Sequence, residues 1–206
     1  MKKKLYMLAI GLILTGIGQI FAQQDIKARE ILDKTLAVFQ QSKGVSLTFG
    51  GSQEGTLMLQ GTCFYLDCGG VKSWFDGKTQ WSYVEENEEV TISTPTPEEL
   101  QSVNPYAILT SYRQHYNYQY KGVKNQGGKS NYEILLTPRT SGNHEISSVV
   151  LHISTAYQPA DISVKQSNGE QQKFIIRSYK TVQGLTAASF RFDTKKYPNA
   201  EIIDMR

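Results

Sequence analysis

The hydrophobic positions of the chain follow a helical period first and a strand period afterwards. Residues 25–41 are predicted to form an amphipathic helix, because apolar side chains recur there at the i, i+3, i+4 and i+7 spacing and Gly44 closes the segment. From Val45 onwards, apolar and polar residues alternate in short runs that extend as far as Phe190 and Phe192. Turns such as Asn168-Gly169 separate the runs, so the pattern predicts about ten or eleven short antiparallel strands.

A second helical region interrupts the strands between Thr94 and Tyr112. Thr96-Pro97-Glu98-Glu99 has the residue order of a capping box, with Thr at the N-cap, Pro at the first helical position and Glu at the third. Asn104-Pro105 repeats the cap and the proline, so two short helices are predicted here.

No linker, repeat or low-complexity segment divides residues 23–206, and one domain is therefore predicted. Helices and strands in this order favour one curved antiparallel sheet with helices on one face. A sheet of more than about eight strands leaves space inside unless other elements fill it, so a helix-lined cavity is expected. The alternative is that the helices fill the concavity completely. Periodicity does not distinguish these two cases.

The N-terminus has the order of a secretory signal peptide. Lys2, Lys3 and Lys4 precede the apolar run Leu5–Ile20, and small and polar residues follow at Ala22 and Gln23. We expect cleavage after Ala22 and a soluble periplasmic protein. The alternative is a membrane anchor, but the run is short for a bilayer span and contains three glycines.

Composition and charge exclude several classes of protein. The chain has 206 residues, of which 39% are hydrophobic and 20% charged, so it is neither disordered nor polytopic. Three of its 22 basic residues lie in the leader, so 19 remain against 19 acidic residues in the rest. This balance gives no indication of a nucleic-acid-binding or anionic-membrane surface.

Candidate chemistry is sparse. Cys63 lies in the predicted strand Thr62–Asp67 and Cys68 follows it. Along extended chain the two are too far apart for a disulfide unless the turn begins early, so free thiols are expected. His115, His144 and His152 show no metal-ligand spacing to them, and His152 alternates with apolar neighbours, which places it on the solvent side. Nucleophile-elbow, phosphate-loop and His-Glu-x-x-His motifs are missing from the sequence. We expect no enzyme activity, no metal and no cofactor.

Several short stretches occur in an order and spacing that is typical of one protein family. They are Gly55–Gly61, Cys63–Leu66, Asp76–Tyr83, Glu89-Val90, Asn104–Leu109, Leu136–Arg139, Phe190–Phe192 and Tyr197–Ile202. Through this ordered set, which spans nearly all of residues 23–206, the chain resembles LolA, the periplasmic outer-membrane lipoprotein carrier family. The resemblance implies a mainly β fold with α, an incomplete antiparallel β-barrel of about 10–11 strands with a helical lid over an apolar cavity.

The resemblance also implies which residues bind the ligand. It places Phe64 and Leu66 on an inward-facing strand and Trp81 and Tyr83 on a Trp-x-Tyr strand. The predicted cavity residues are Leu36, Phe39, Leu57, Leu59, Phe64, Leu66, Trp81, Tyr83, Ile134 and Leu136, and the predicted lid residues are Ile108, Leu109 and Tyr112. Where the family often has an arginine that hydrogen-bonds the lid shut, this chain has Gln60-Gly61.

A monomeric carrier of lipoprotein acyl chains is therefore expected. By resemblance, its partners are an inner-membrane lipoprotein-releasing transporter and an outer-membrane acceptor. The alternative is an exported binding module for another lipid or glycolipid. A structural or adhesion protein with a filled interior and an envelope hydrolase are further possibilities.

Overall fold

The computed structural model describes residues 25–97, 99, 100, 105–139 and 145–206. The predicted signal peptide, residues 1–22, and the predicted helix cap at Asn104 lie outside the described residues, as does His144. The two longer helices are α1, residues 25–41, and α2, Pro105–His115. The strands are β1 (Val45–Gly51), β2 (Gly55–Gln60), β3 (Cys63–Cys68), β4 (Val71–Phe75), β5 (Gln80–Val84), β6 (Glu89–Ser93), β7 (Tyr116–Gln126), β8 (Lys129–Pro138), β9 (Ile146–Ser154), β10 (Pro159–Gln166), β11 (Gln171–Thr181) and β12 (Glu201–Asp204).

The predicted helices are present in the described residues. In α1, Ala28, Ile31 and Leu32 form the buried face, and the buried Thr35 hydroxyl donates to the Ile31 carbonyl at 2.9 Å. The capping box forms as predicted, because Thr96 N donates to Glu99 Oε2 at 2.7 Å and Glu99 N donates to Thr96 Oγ1 at 3.3 Å. Residues 97, 99 and 100 are helical behind it.

All twelve strands belong to one sheet in the order β12-β6-β5-β4-β3-β2-β1-β11-β10-β9-β8-β7. Neighbouring strands are antiparallel except β12, which runs parallel to β6. The two edge strands, β12 and β7, are not paired with each other, so the sheet stays open. The protein is mainly β, and the open sheet fits an incomplete barrel.

The structure corrects the predicted strands in two places. The sequence reasoning overlooked β4 and β12, and it assigned a strand at Phe190 and Phe192. Phe190 instead ends a short 3₁₀ helix, Ala187–Phe190, and Phe192 follows in irregular backbone. Phe192 packs against Trp74 and Tyr83 on the outer face of the sheet, and Phe190 is buried, which an irregular segment can achieve as well as a strand.

Three hydrophobic clusters position the candidate site. The first lies between α1, α2 and strands β7, β8 and β9, and the second joins the end of α1 to the inner face of β1–β4. The third lies on the outer face of β4–β6, beneath residues 187–204, which we call the C-terminal segment. Neither α1 nor any other described helix combines the length and the hydropathy that crossing a bilayer requires.

Candidate functional site: an apolar cavity inside the curved sheet

A cavity of about 480 Å³ lies between the concave face of the sheet and the two helices. Strands β1–β5 form one wall and β9–β11 the other, because residues two apart on each strand point to the same face. Ile108 and Leu109 of α2 line it from the open side of the curve, and Thr35 and Phe39 of α1 line it nearby. The cavity therefore borders both layers of the fold.

Six of the thirteen residues predicted for the cavity and the lid line it. They are Phe39, Leu57, Leu59, Leu66, Ile108 and Leu109. Their side chains come from α1, β2, β3 and α2, so the structure brings together residues that are far apart in the sequence.

Five other predicted residues do not line the cavity. Phe64 is buried in the second cluster, with its ring 5.6 Å from that of Phe75. Ile134, Leu136 and Tyr112 are buried in the first cluster, between the helices and the sheet. Leu36 is half-buried on α1.

Trp81 and Tyr83 lie on the opposite face of the sheet, contrary to the prediction. Gln80 and Ser82 of the same strand line the cavity, so alternation turns Trp81 and Tyr83 outwards. On the outer face, the Tyr83 ring lies 4.7 Å from that of Tyr197 in the C-terminal segment. The sequence shows an aromatic alternation here, but it does not show that the C-terminal segment covers the outer face.

The sequence reasoning missed the second wall of the cavity. On this side the lining residues include Leu151, Ile153, Ile162, Val164, Phe174, Ile176 and Tyr179. Most of them belong to runs that were recognised as alternating strands. The sequence did not reveal that β11 pairs with β1. This pairing brings strands β9–β11 beside strands β1–β5.

The mouth of the cavity is polar. Gln53, Gly69 and Glu145 line the cavity and are exposed, as is Val71. Glu145 is the one charged residue among the described lining residues. No group of His, Cys, Asp and Glu within the described segments could hold a metal ion. The site is thus suited to bind an apolar molecule by burial and offers no clustered chemistry in the described part of the chain.

Both cysteines are free, as predicted, and stand at opposite ends of β3. Cys68 lines the cavity, and its Sγ donates to Gln53 Oε1 at 3.0 Å. Burial raises the pKa of the Cys63 and Cys68 thiols, and the neighbouring carboxylates Asp76 and Asp67 raise them further. Both groups are therefore protonated thiols at neutral pH.

Side chains at the end of α2 connect it to α1. The Tyr112 hydroxyl and Arg113 Nη2 each donate to Asp33 Oδ1 at 2.5 Å. Burial alone would raise the pKa of Asp33, but the hydrogen bonds from Arg113 and Tyr112 outweigh it and lower the pKa below its ordinary value of 3.8. We call this three-residue contact the helix clamp. It joins the helices at a point other than the Gln60-Gly61 position, where the family arginine is missing.

His152 is buried rather than solvent-facing. It does lie on the face opposite Leu151 and Ile153, but its Nδ1 is 2.8 Å from Asp161 Oδ1 and its Nε2 is 3.0 Å from Glu133 Oε2. Asp161 and Glu133 are its register partners on the two neighbouring strands. The side chains of adjacent strands therefore cover it, which period-two reasoning on one strand does not reveal.

Comparisons with known proteins agree with this architecture. Among curated proteins, none matches the chain. In structure, the chain is similar to an uncharacterized conserved protein from Thermus thermophilus, with 15% identity, a TM-score of 0.61, and coverage of 86% of this chain and 99% of the other. It is also similar to a Vibrio parahaemolyticus domain described as an outer membrane lipoprotein-sorting protein, with 11% identity, a TM-score of 0.50, and coverage of 81% and 97%.

At such low identities these two structures show a shared fold only. The sequence itself carries a more specific signal, because residues 18–169 match the model of the family described as outer membrane lipoprotein carrier protein LolA. The match spans α1, both walls of the cavity up to β10, and α2. This chain therefore belongs to the LolA outer membrane lipoprotein carrier family.

Proposed function

We propose that the protein is a periplasmic carrier that encloses acyl chains of lipoproteins in its cavity and moves them from the inner to the outer membrane. The observation that carries this proposal is the apolar cavity of about 480 Å³ between the sheet and both helices. Its volume lies within the usual range of ligand pockets, about 300–1,000 Å³. Membership of the LolA family supports the choice of lipoprotein acyl chains as the ligand.

A carrier of this kind has to release what it binds. Burial of each methylene contributes about 0.8 kcal/mol, so complete burial of several long chains would make release very slow. We propose that α2 acts as a lid. Ile108 and Leu109 are 1% and 9% exposed, and ligand entry would displace their apolar contacts with the sheet. The contacts return when the ligand leaves, which lowers the net free energy of binding.

Export and partners complete the proposal. We expect the signal peptide to be cleaved after Ala22 and the carrier, a monomer of residues 23–206, to exchange its cargo with an inner-membrane lipoprotein-releasing transporter and an outer-membrane acceptor. In this role the chain is a binding protein and not an enzyme. N-terminal sequencing of the periplasmic fraction should find Gln23, whereas an intact Met1 in the membrane pellet would contradict export.

The substitution Leu66→Glu tests the cavity. Leu66 is half-buried and lines the cavity, so a carboxylate there should abolish binding of an apolar fluorescent probe and of an acylated lipoprotein. The circular dichroism melt should change by only a few degrees, because the side chain can reach water in the cavity. Thr62→Glu, in the exposed turn before β3, is the matched control and should leave both binding and the melt unchanged.

Phe64→Ala supplies the contrast with a filled core. Phe64 faces the same side of β3 but is 1% exposed, so its truncation should cost about 3–5 kcal/mol of unfolding free energy. If Leu66→Glu unfolds the protein in the same way, the concave face is ordinary core and the carrier proposal fails. Mass spectrometry of the molecules that co-purify with the protein distinguishes the two proposed cargoes. Lipids or glycolipids without lipoprotein would favour the alternative of an exported lipid-binding module.

A further inference from the structure

One part of the cavity wall is polar although it lies inside the fold. Ser73 of β4 and Gln80 and Ser82 of β5 line the cavity, and Ser73 and Gln80 are only 4% and 7% exposed. Ser73 and Ser82 are register partners, with their Oγ atoms 3.3 Å apart, and Gln80 Nε2 donates to Ser82 Oγ at 3.1 Å. We call these three residues the polar patch.

The polar patch has hydrogen-bonding capacity left over. Gln80 Oε1 has no hydrogen-bond partner in the described part of the chain, and Nε2 has a second hydrogen beyond the one given to Ser82. The two serine hydroxyls share one hydrogen bond, so one of their two hydrogens is also free. Turning the Gln80 amide around exchanges the free acceptor for a free donor but still leaves one group unpaired. The patch therefore offers donors and an acceptor to whatever occupies the cavity.

Buried polar groups in proteins normally have hydrogen-bond partners. An amide buried without a hydrogen bond costs about 1–3 kcal/mol, so an all-apolar ligand that displaces water from the patch would bind at a penalty. A ligand with its own donor and acceptor at this place would remove the penalty. The patch therefore distinguishes between ligands that pure burial would treat alike.

Charge further restricts the ligand. Among the described lining residues none is a lysine, arginine or histidine, and the one charged group is the Glu145 carboxylate at the mouth. A phosphate or carboxylate carried into the cavity would lose its hydration without meeting a cation, which is unfavourable. The complementary group is hence uncharged.

We propose that the polar patch binds an uncharged amide or hydroxyl group attached to the hydrocarbon of the ligand, so that the cargo class is N-acyl or hydroxyacyl chains rather than anionic phospholipid. The inference rests on the proposed function, because it assumes that hydrocarbon occupies the cavity. The amide or hydroxyl donates to Gln80 Oε1 and accepts from a serine hydroxyl or from Gln80 Nε2. Residues Ser73, Gln80 and Ser82 are then specificity residues, whereas the aliphatic walls supply most of the affinity.

Competition binding on the full-length mature protein tests the assignment. The probe is 1-aminoanthracene, displaced by dodecanamide or 1-dodecanol, by the acceptor-only dodecyl methyl ether, or by dodecyl phosphate. The test variant is Gln80→Met, which keeps the length of the side chain and removes its hydrogen bonds. The matched control is Gln40→Met, the same substitution at an exposed position of α1 that does not line the cavity.

Gln80→Met should weaken the binding of dodecanamide and dodecanol about tenfold and leave that of the ether within about twofold. Gln40→Met should change the binding of none of these competitors by more than about twofold. Dodecyl phosphate should be the weakest competitor for wild type. Equal loss for amide and ether, or no loss for either, would overturn the assignment while probe binding itself still supports a carrier. Wild-type protein that binds no probe at all would refute the proposed function and, with it, this inference.

Discussion

At the scale of single residues, the outer face of the sheet contains a buried hydrogen-bonded cluster centred on His152. Its two ring nitrogens face Asp161 and Glu133, and Lys173 Nζ lies 3.5 Å from Asp161 Oδ1. His152 and Asp161 are 6% and 3% exposed. The ring nitrogens of the imidazole lie within hydrogen-bond distance of both carboxylates, which an apolar side chain at this place would leave with one partner fewer.

Replacement of His152 by alanine should therefore be destabilising. It removes the ring nitrogens that lie against Asp161 and Glu133 and leaves the buried Asp161 carboxylate with Lys173 at 3.5 Å, and a buried polar group left without its hydrogen bond typically costs about 1–3 kcal/mol. Urea denaturation at neutral pH measures the change. His115→Ala is the control, because His115 is exposed at the end of α2 and should lie within about 0.5 kcal/mol of wild type. A similar small change for His152→Ala would show that the cluster is not held together as described.

At the scale of elements, the helix clamp joins α2 to α1. Apolar contacts of Ile108 and Leu109 alone would allow α2 to shift over the cavity, whereas the clamp holds the end of the helix through directional hydrogen bonds. In addition, burial and the bond to Asp33 raise the pKa of the Tyr112 hydroxyl to about 12, so it remains a donor at neutral pH. We expect the clamp to keep one end of α2 in place while the cavity-lining residues move.

The clamp predicts a dependence of stability on acid pH. Since the pKa of Asp33 is lower in the folded protein, its contribution is fully present above the ordinary value of 3.8 and is lost as the pH falls through the folded value. Asp33→Ala should cost about 1 kcal/mol or less at pH 6, because the partly exposed pair is screened by solvent. The difference between variant and wild type should shrink below about pH 3.8.

Tyr112→Phe tests the origin of that dependence. It removes one hydrogen bond to Asp33 but leaves the ion pair with Arg113, so most of the pH dependence should remain. Urea denaturation at several pH values between 3 and 6 compares the three proteins. A wild-type profile that is parallel to that of Asp33→Ala would contradict the clamp.

Strand β3 separates the two cysteines by its full length, and this spacing predicts the effect of removing them. The double variant Cys63→Ser, Cys68→Ser should change the unfolding free energy by about 1 kcal/mol. Loss of a native disulfide would typically cost more, about 2–5 kcal/mol. Thermal melts with and without a reducing agent measure it. Destabilisation of the oxidised wild type by reductant would show that a disulfide forms after all.

At the scale of the whole molecule, the C-terminal segment completes the outer face. Its aromatic residues Phe192 and Tyr197 pack on Trp74 at ring distances of 5.5 and 5.8 Å, and β12 then extends the sheet beside β6. The sheet is therefore covered on both faces in this region, by the helices and cavity inside and by the C-terminal segment outside.

The substitution Phe190→Ala tests how much the C-terminal segment contributes to the free energy of unfolding. Phe190 is 1% exposed in the 3₁₀ helix that contacts β3, so Phe190→Ala should cost about 3–5 kcal/mol of unfolding free energy. The control Ile202→Ala removes a side chain that is 52% exposed on β12 and should cost less than about 1 kcal/mol. Chemical denaturation compares them, and equal small effects would mean that the C-terminal segment is only loosely attached.

The local elements of this protein could be predicted from its amino-acid sequence alone. The boundaries of α1, the capping box at Thr96 and most of the strands followed from periodicity and from turn and cap residues, which act over a few neighbouring positions. The free state of the cysteines followed from the length of an extended strand. An apolar concave face was expected from the alternation of the strands, whereas the choice of a cavity over a filled core, and the residues of that cavity, came from the resemblance to the LolA family.

Which face of each strand lines the cavity depends on contacts between distant parts of the chain and could not be predicted from the sequence. Alternation predicts that Trp81 and Ser82 point to opposite faces of β5, but both faces of this strand are covered by other parts of the chain. The long-range pairing of the strands determines which of the two faces borders the cavity. The same holds for His152, whose burial comes from strands β8 and β10, and for the polar patch, whose members meet through the register of β4 and β5. Contacts between distant segments depend on pairing and burial of the whole sheet, and no local pattern in the chain encodes them.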